Sequence, residues 1–432
     1  MVDLEIKRSV ERKLLWKLVP LLFGLYAFFA LDRGNVGLAA LEMNVDLQMS
    51  AAVYGLGASL FTLSYLLFQI PAVTTMRRLG PARGFALVAV SWGSVSMLTA
   101  FVWNDISFLA VRCLLGVAEA GFGSFVVYYI GQLFPRDIRG FTISLTLAAV
   151  PLTMVIASPV SGFLLDWHHS GLQGWQWLFL VEGAPAVLLG LLALRLLPDS
   201  VESAKFLKPE ERQWLAADVA AADSDEHQSN VGSLKDALTS GTVWVLGLTL
   251  FSAVLGTNTL LFWMPQIIEQ MSKASNLVVG WLNALPWLAF AIGMLLLGRL
   301  SDKLGNRVLT LSLAMGFSAA GFIFGGLVQS PVFSFIGLLV GAFGVGATMA
   351  VFWTVPLQML TGATLAGAIA AINMIGNSSG VFAHGFIGWL REATGGFGTT
   401  LIALATVQIL AIIVLNVFAA ARRRQSATAG QE

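Results

Sequence analysis

Two acid–base pairs stand out in a chain that carries few charges: Asp32 with Arg33, and Arg112 with Glu119. Each pair lies within a long apolar run, where an ionisable side chain costs at least ~2.5–3.5 kcal/mol on insertion scales. Groups kept at that cost are candidates for chemistry. A guanidinium in a partly dry cavity offers a carboxylate a bidentate site, which makes Arg33 and Arg112 candidate anion ligands. A carboxylate beside a guanidinium can give up that contact for a proton or to a competing anion, which makes Asp32 and Glu119 candidate proton carriers. Arg112, Gly116 and Glu119 fall on one stripe of a helix, its ends ~10 Å apart along the axis. The competing reading is a structural salt bridge between two helices. Four charges exceed what a brace requires, and buried ion pairs stabilise weakly compared with apolar packing.

The elements that must hold these residues are membrane helices. Of 432 residues 57% are hydrophobic and 11% charged, with a mean hydropathy of +0.79, whereas soluble domains carry about 25% charged residues. Apolar runs long enough to cross a hydrocarbon core of ~30 Å recur along the chain. A net charge of +1 gives no global attraction to nucleic acid. The single cysteine, Cys113, excludes an internal disulfide framework and reads as a small packing residue. No P-loop and no His/Cys or H-E-x-x-H ligand set occurs, so neither an ATP-driven pump, an enzyme, a metal nor a cofactor is expected.

Punctuation by Pro, Gly and charge predicts spans at 14–41, 51–76, 82–103, 106–133, 138–166 and 177–197, then 241–270, 277–301, 307–328, 332–360, 363–390 and 398–421. The expected fold is therefore an all-α membrane protein of twelve transmembrane helices in two pseudo-symmetric six-helix bundles. The expected division is 1–198, a cytoplasmic middle loop 199–240, and 241–432. Lys and Arg gather at the N-terminus (Lys7, Arg8, Arg12, Lys13, Lys17), at Arg77, Arg78 and Arg83, at Arg136 and Arg139, at Lys303 and Arg307, and at Arg422–Arg424. The positive-inside rule then puts both termini and the middle loop in the cytoplasm of an inner-membrane protein. The second helix of each half ends in a basic, glycine-containing turn, Arg77–Arg83 and Gly298–Arg307. Such a repeat is the mark of a carrier whose site lies between its halves.

Gly298–Arg307 matches the G-x-x-x-D-[RK]-x-G-x-[RK] loop of the major facilitator superfamily, and Arg112-x-x-x-Gly116-x-x-Glu119-Ala120 resembles its fourth-helix motif. Leu31-Asp32-Arg33-Gly34-Asn35, the Glu119-Ala120-Gly121 turn, Gly174-Trp175-Gln176-Trp177 and Leu207-x-Pro209-Glu210-Glu211-Arg212 resemble the anion:cation symporter branch, carriers of phthalate, tartrate and hexonates. Arg77 stands where an acid is usual in the first-half loop. The resemblance implies proton-coupled import of a small organic anion by alternating access, with an exchanger or effluxer of the same fold as the alternative. It implies the coupling and binding roles named above for Asp32, Glu119, Arg33 and Arg112. Tyr65, Trp353 and Asn373 are implied as cavity residues. Gly298, Asp302, Lys303, Gly305 and Arg307 would form the gating loop. The implied partners are the anion, protons and membrane lipid, with no cofactor beyond the proton gradient, and a monomer is expected.

Softer signals remain. Gln69 lies one turn from Tyr65, and Asn377 one turn from Asn373 in a run of small residues, where helix packing through interhelical hydrogen bonds is the plainer reading. Glu182 and His384 are further candidate proton sites. Trp16, Trp103, Trp167, Trp175 and Trp177 fall near expected interfaces, where anchoring accounts for them. The fifth-helix stretch Phe141–Ser158 offers hydroxyls only (Thr142, Ser144, Thr146, Thr153), which suggests a ligand less hydroxylated than a sugar acid.

Overall fold

A computed structural model describes residues 2–227, 237–359 and 365–429. Residues 228–236 of the expected middle loop, and 360–364 at the ends of the expected spans 332–360 and 363–390, lie outside the described residues. The first half contains α1 (Val2–Lys17), α2 (Val19–Asp46), α3 (Ala51–Leu79), α4 (Pro81–Thr99), α5 (Asp105–Glu119), α6 (Phe122–Leu133), α7 (Arg136–Leu147), α8 (Ala149–Leu165) and α9 (Gly174–Leu196). After α10 (Pro209–His227) come α11 (Gly241–Phe262), α12 (Met264–Ser272), α13 (Asn276–Leu304), α14 (Arg307–Leu327), α15 (Pro331–Phe352), α16 (Thr354–Met359), α17 (Leu365–Asn377), α18 (Ser379–Thr394) and α19 (Gly398–Ala429).

Among the described residues ten helical stretches are long and apolar enough to cross a membrane. Within the expected spans 82–103 and 363–390, residues 82–99, 365–377 and 379–390 are helical too. The first is α4, diluted by Arg83 and serines, and the second is split at Ser378 into α17 and α18. The chain is an all-α membrane protein. Side chains such as Ile70 (78% exposed) and Ile156 (71%) project outward from the spans, as lipid solvation allows.

By its contacts the chain divides into two compact units. One comprises residues 1–43, 60–157 and 164–229, the other 44–59, 158–163 and 230–432. Within the first unit α4 and α9 close on glycine: a Cβ at Gly93 would stand 2.8 Å from the Gly183 carbonyl oxygen. Within the second, Gly321 and Gly337 bring the backbones of α14 and α15 together in the same way. Lipid gives no hydrophobic drive between helices, so close backbone approach at small residues supplies the packing. The first turns of α3 belong to the second unit, where the Tyr54 hydroxyl donates to the Phe262 carbonyl at 2.8 Å.

Several expected single spans are broken. The span 106–133 ends as α5 at Glu119 and restarts as α6 after Gly121, whose φ of 78° is left-handed. A Cβ there would also meet Val73 Cγ2 at 2.8 Å, so only glycine fits. Two smaller expectations fail as well. Trp175 is 1% exposed and packs edge-to-face on Phe179, because Gly174 lies against the backbone of Leu165 and turns the ring inward. Cys113 is exposed on α5 instead of packed, about a quarter-turn around the helix from the stripe of buried Arg112, Gly116 and Glu119.

Candidate functional site

The first unit brings four charges into one cluster. Asp32 and Arg33 come from α2, Arg112 and Glu119 from α5. Arg33 Nε donates to Glu119 Oε2 at 2.8 Å. Asn35 Nδ2 donates to Asp32 Oδ1 at 3.5 Å, and Glu119, Ser96 and the Arg112 charge lie beside Asp32. Glu119 Oε1 is buried and has no hydrogen-bond donor among the described residues, and the same holds for Asp32 Oδ2. Asp32, Arg112 and Glu119 are 4%, 1% and 0% exposed. Arg33, with 24% of its side chain exposed, is the one charge of the four that reaches accessible surface.

Aromatic rings hold both guanidiniums. That of Arg33 lies 4.3 Å from the Phe29 ring centre, 4.4 Å from Tyr65 and 5.4 Å from Phe61. That of Arg112 lies 4.6 Å from Phe61. All are within cation–π range. Gly116 sets this contact: a Cβ there would sit 2.2 Å from the Phe61 carbonyl oxygen and 2.3 Å from Ser64 Oγ. The missing side chain lets α5 rest on α3 at Phe61, one turn beyond Arg112. Phe61, Phe29 and Ser96 carry no charge, and nothing in the sequence singled them out. The signal that could have found Phe61 is its spacing, one helical turn before Tyr65.

Of the other candidates, Tyr65 joins this cluster. Gln69 does not; its amide donates to Ser124 Oγ at 2.9 Å. Trp353 and Asn373 lie in the second unit. Trp353 caps the end of α15 and meets Phe352 edge-on at 5.1 Å. Asn373 accepts two hydrogen bonds from Asn377 Nδ2, at its carbonyl (2.9 Å) and its side-chain oxygen (2.6 Å). Glu182 is buried in α9. His384 is fully buried in α18, where its Nδ1 lies 3.3 Å from the indole nitrogen of Trp263. Gly376–Gly380 has the spacing of a hydrolase nucleophile turn. Ser378, however, donates its hydroxyl to the Ile375 carbonyl at 2.7 Å between two helices, not from a strand-to-helix turn.

The loop candidates form a compact turn. Gly305 ends α13 with φ 67°, its N–H donating to the Ser301 carbonyl. Arg307 Nη1 donates to Asp302 Oδ1 at 2.6 Å and to Ser301 Oγ at 3.0 Å. Lys303 is exposed, and Gly298 has Ala350 Cβ as its nearest neighbour, 3.8 Å from where a Cβ would stand. In the first-half loop Arg77 lies 4.7 Å from the Tyr128 ring centre. An acid serves that loop from elsewhere: Asp199, beyond α9, accepts from Ala82 N at 2.9 Å. It thereby sits at the positive end of α4, in room that Gly80 leaves.

Broken membrane helices around a buried ionic cluster define a membrane carrier. Comparison with known proteins agrees. The model of the Major Facilitator Superfamily matches residues 22–384. A protein of Agrobacterium vitis described as "Putative tartrate transporter" is 37% identical over 416 residues, 96% of this chain and 92% of that one. A "Quinolone resistance transporter" of Acinetobacter baumannii is 36% identical over 423 residues, 98% of each. The xylose transporter XylE of E. coli, in a partially occluded inward-open conformation, superposes with a TM-score of 0.73 at 15% identity, over 94% of this chain and 97% of that one. The chain belongs to the Major Facilitator Superfamily. It is a multi-pass membrane transporter and not an enzyme.

Proposed function

We propose that the protein imports a small organic anion, a carboxylate, together with protons by alternating access through the inner membrane, both termini being cytoplasmic. The observation that carries this reading is the Arg33–Glu119 pair, a guanidinium at accessible surface held from behind by a buried acid. Nε of Arg33 is engaged by Glu119 and Nη2 is buried without an acceptor, so an incoming carboxylate approaches through Nη1 and completes the Nη edge. Two acids and two guanidiniums sum to zero charge. One bound monoanion leaves the cluster at minus one, and one proton restores neutrality. A net charge in a low-dielectric site is costly, so anion and proton favour each other's binding, reciprocally. The proton has a place: Asp32 and Glu119 are neighbours in the cluster, and each has a buried oxygen without a donor. A shared proton completes that arrangement.

The proton gradient is the only energy source this scheme needs, without a cofactor, and a monomer suffices. Trp353, Asn373 and the loop of Gly298, Asp302, Lys303, Gly305 and Arg307 serve as cavity wall and gate. The likeness to the tartrate-transporter relative supports a carboxylate. Thr142 and Thr146 are buried, and the Thr146 hydroxyl donates to the Thr142 carbonyl at 2.9 Å, which supports a ligand poorer in hydroxyls than a sugar acid. The likeness to the quinolone-resistance relative favours a second reading, an exchanger or effluxer of the same fold. Flux into proteoliposomes under an imposed pH gradient tests the first. Uptake should rise with an inward proton gradient and collapse with a protonophore. Uptake indifferent to the gradient but stimulated by internal anion would establish exchange instead.

A further inference from the structure

Tyr26 stands two turns before Arg33 on the same stripe of α2, with Tyr65 and the Arg33 charge beside it. We propose that Tyr26 is a specificity-determining residue: its phenol donates a hydrogen bond to the far end of the bound anion, so the site takes a short-chain dicarboxylate, one carboxylate on Arg33 and the other on Tyr26. The inference rests on the carboxylate reading above and deepens it by naming the class.

The case is geometric. The Tyr26 ring meets Phe29 edge-on with their centres 5.5 Å apart, and the Arg33 guanidinium lies 4.3 Å from that same Phe29 centre. The Tyr26 ring centre and the guanidinium are therefore at most 9.8 Å apart. Three C–C bonds of about 1.5 Å, with a hydrogen bond of about 2.8 Å at either end, reach across that gap. Phe122, fully buried at the start of α6, holds the Tyr26 ring from a second side at 5.8 Å. Buried tyrosines commonly spend their hydroxyls on the protein: Tyr54 donates to the Phe262 carbonyl at 2.8 Å and Tyr129 to the Pro198 carbonyl at 3.2 Å. Tyr26 is half-buried, and its hydroxyl has no hydrogen-bond partner among the described residues. A phenol adds no charge to the cluster, and its bond to a carboxylate is charge-assisted and so stronger than a neutral one. Because Tyr26 is only half-buried, the far carboxylate keeps part of its water and avoids the full cost of a buried charge. A monocarboxylate gains none of this.

Tartrate and 2,3-dihydroxybutyrate make the test, since they share a chain and its hydroxyls and differ by one carboxylate. Binding is measured by calorimetry on the full chain in nanodiscs. The wild type should bind tartrate about tenfold more tightly or better. Tyr26→Phe keeps the ring and removes only the hydroxyl. Its tartrate affinity should fall about tenfold or more, while that for 2,3-dihydroxybutyrate stays within about threefold. Arg33→Gln should weaken both. A wild type without preference for tartrate, or a Tyr26→Phe variant that weakens both acids equally or neither, overturns the role of Tyr26 alone. Binding of both acids undiminished in Arg33→Gln, or a wild type that binds neither acid, overturns the carboxylate reading and this inference with it.

Discussion

Gly116→Ala puts a methyl group where the packing of α3 on α5 leaves no room. Its Cβ would stand 2.2 Å from the Phe61 carbonyl oxygen and 2.3 Å from Ser64 Oγ. Ser64, whose hydroxyl donates to the Leu60 carbonyl at 2.7 Å, can turn aside. The Phe61 carbonyl is main chain and cannot. Ordinary carbon–oxygen contacts between helices are about 3.3–3.6 Å, so the two helices must part by roughly 1 Å. Glu119 lies one turn further along the same face of α5 and moves with it. Its 2.8 Å bond from Arg33 then stretches past useful hydrogen-bonding distance. Overpacking costs about 1–3 kcal/mol and a weakened charged hydrogen bond about 1.5–3 kcal/mol when lost outright. The net loss should be on the order of 2–4 kcal/mol, with transport reduced more than stability. The assay is thermal unfolding in nanodiscs beside anion uptake into proteoliposomes. Gly123→Ala is the control, since its nearest neighbour, Tyr26 Oη, would be at an ordinary 3.7 Å. If the two variants melt together and transport equally, the coupling of α3–α5 contact to the ion pair is wrong.

Further outcomes follow from the same geometry. Glu119→Gln removes one acid of the cluster; residual uptake should lose its dependence on an imposed pH gradient, and retention of that dependence would return the coupling role to Asp32 alone. Arg33→Lys exchanges a planar fork among three rings for a point charge, and anion affinity, read by calorimetry, should drop roughly tenfold or more. On the cytoplasmic side of the proposed orientation, Glu211 anchors α1 to α10, accepting from Lys13 Nζ at both oxygens (2.7 Å each), from Ser9 Oγ (2.8 Å) and from Lys208 N (2.7 Å). Burial opposes its charge, but these donors together outweigh burial and hold its carboxyl below the ordinary value of 4.5. A depressed folded pKa means stabilisation that is present above the unfolded value and lost as pH falls through the folded one. Hydrogen exchange in α1 should therefore stay slow at neutral pH and quicken only in acid below the ordinary glutamate range, whereas Glu211→Gln should show fast exchange already at pH 7.

What the sequence made legible was the part governed by the cost of charge in lipid. Asp32, Arg33, Arg112 and Glu119 are conspicuous because almost nothing around them is charged, and an arithmetic of turns places Arg112, Gly116 and Glu119 on one buried face. The spans were legible for the same reason. Uncharged members of the cluster were not. Phe29 and Phe61 belong to a chain with 29 phenylalanines, and only the fold distinguishes a ring that holds a guanidinium from one that meets lipid. Trp175 misled because a tryptophan at a span's edge reads as an anchor, while the close approach permitted by Gly174 turned it inward. Asp199 was invisible as a helix cap, since it is 117 residues from the Ala82 amide it accepts. An acid thus reaches this loop through the fold and not through its motif.

The helix breaks add an argument that neither charge nor motif contains. In lipid each lost backbone hydrogen bond costs several kcal/mol, so an interrupted helix persists only where protein groups or a cavity satisfy it. Within the first unit the break after α5 falls at Glu119, its final residue. Within the second, one break falls at Trp353, the residue between α15 and α16, and another follows Asn377 at the end of α17. At the last of these the Asn377 side chain itself donates to the Asn373 carbonyl, supplementing the ladder where it ends. Two of the candidates, Glu119 and Trp353, stand at such interruptions, whereas other interruptions, at Leu18, Ala148 and Trp263, carry none. Carriers of this architecture use discontinuous helices where substrate and coupling ions bind. On that ground the proposed roles of Glu119, in the first unit, and of Trp353, in the second, each have a backbone counterpart within their own unit.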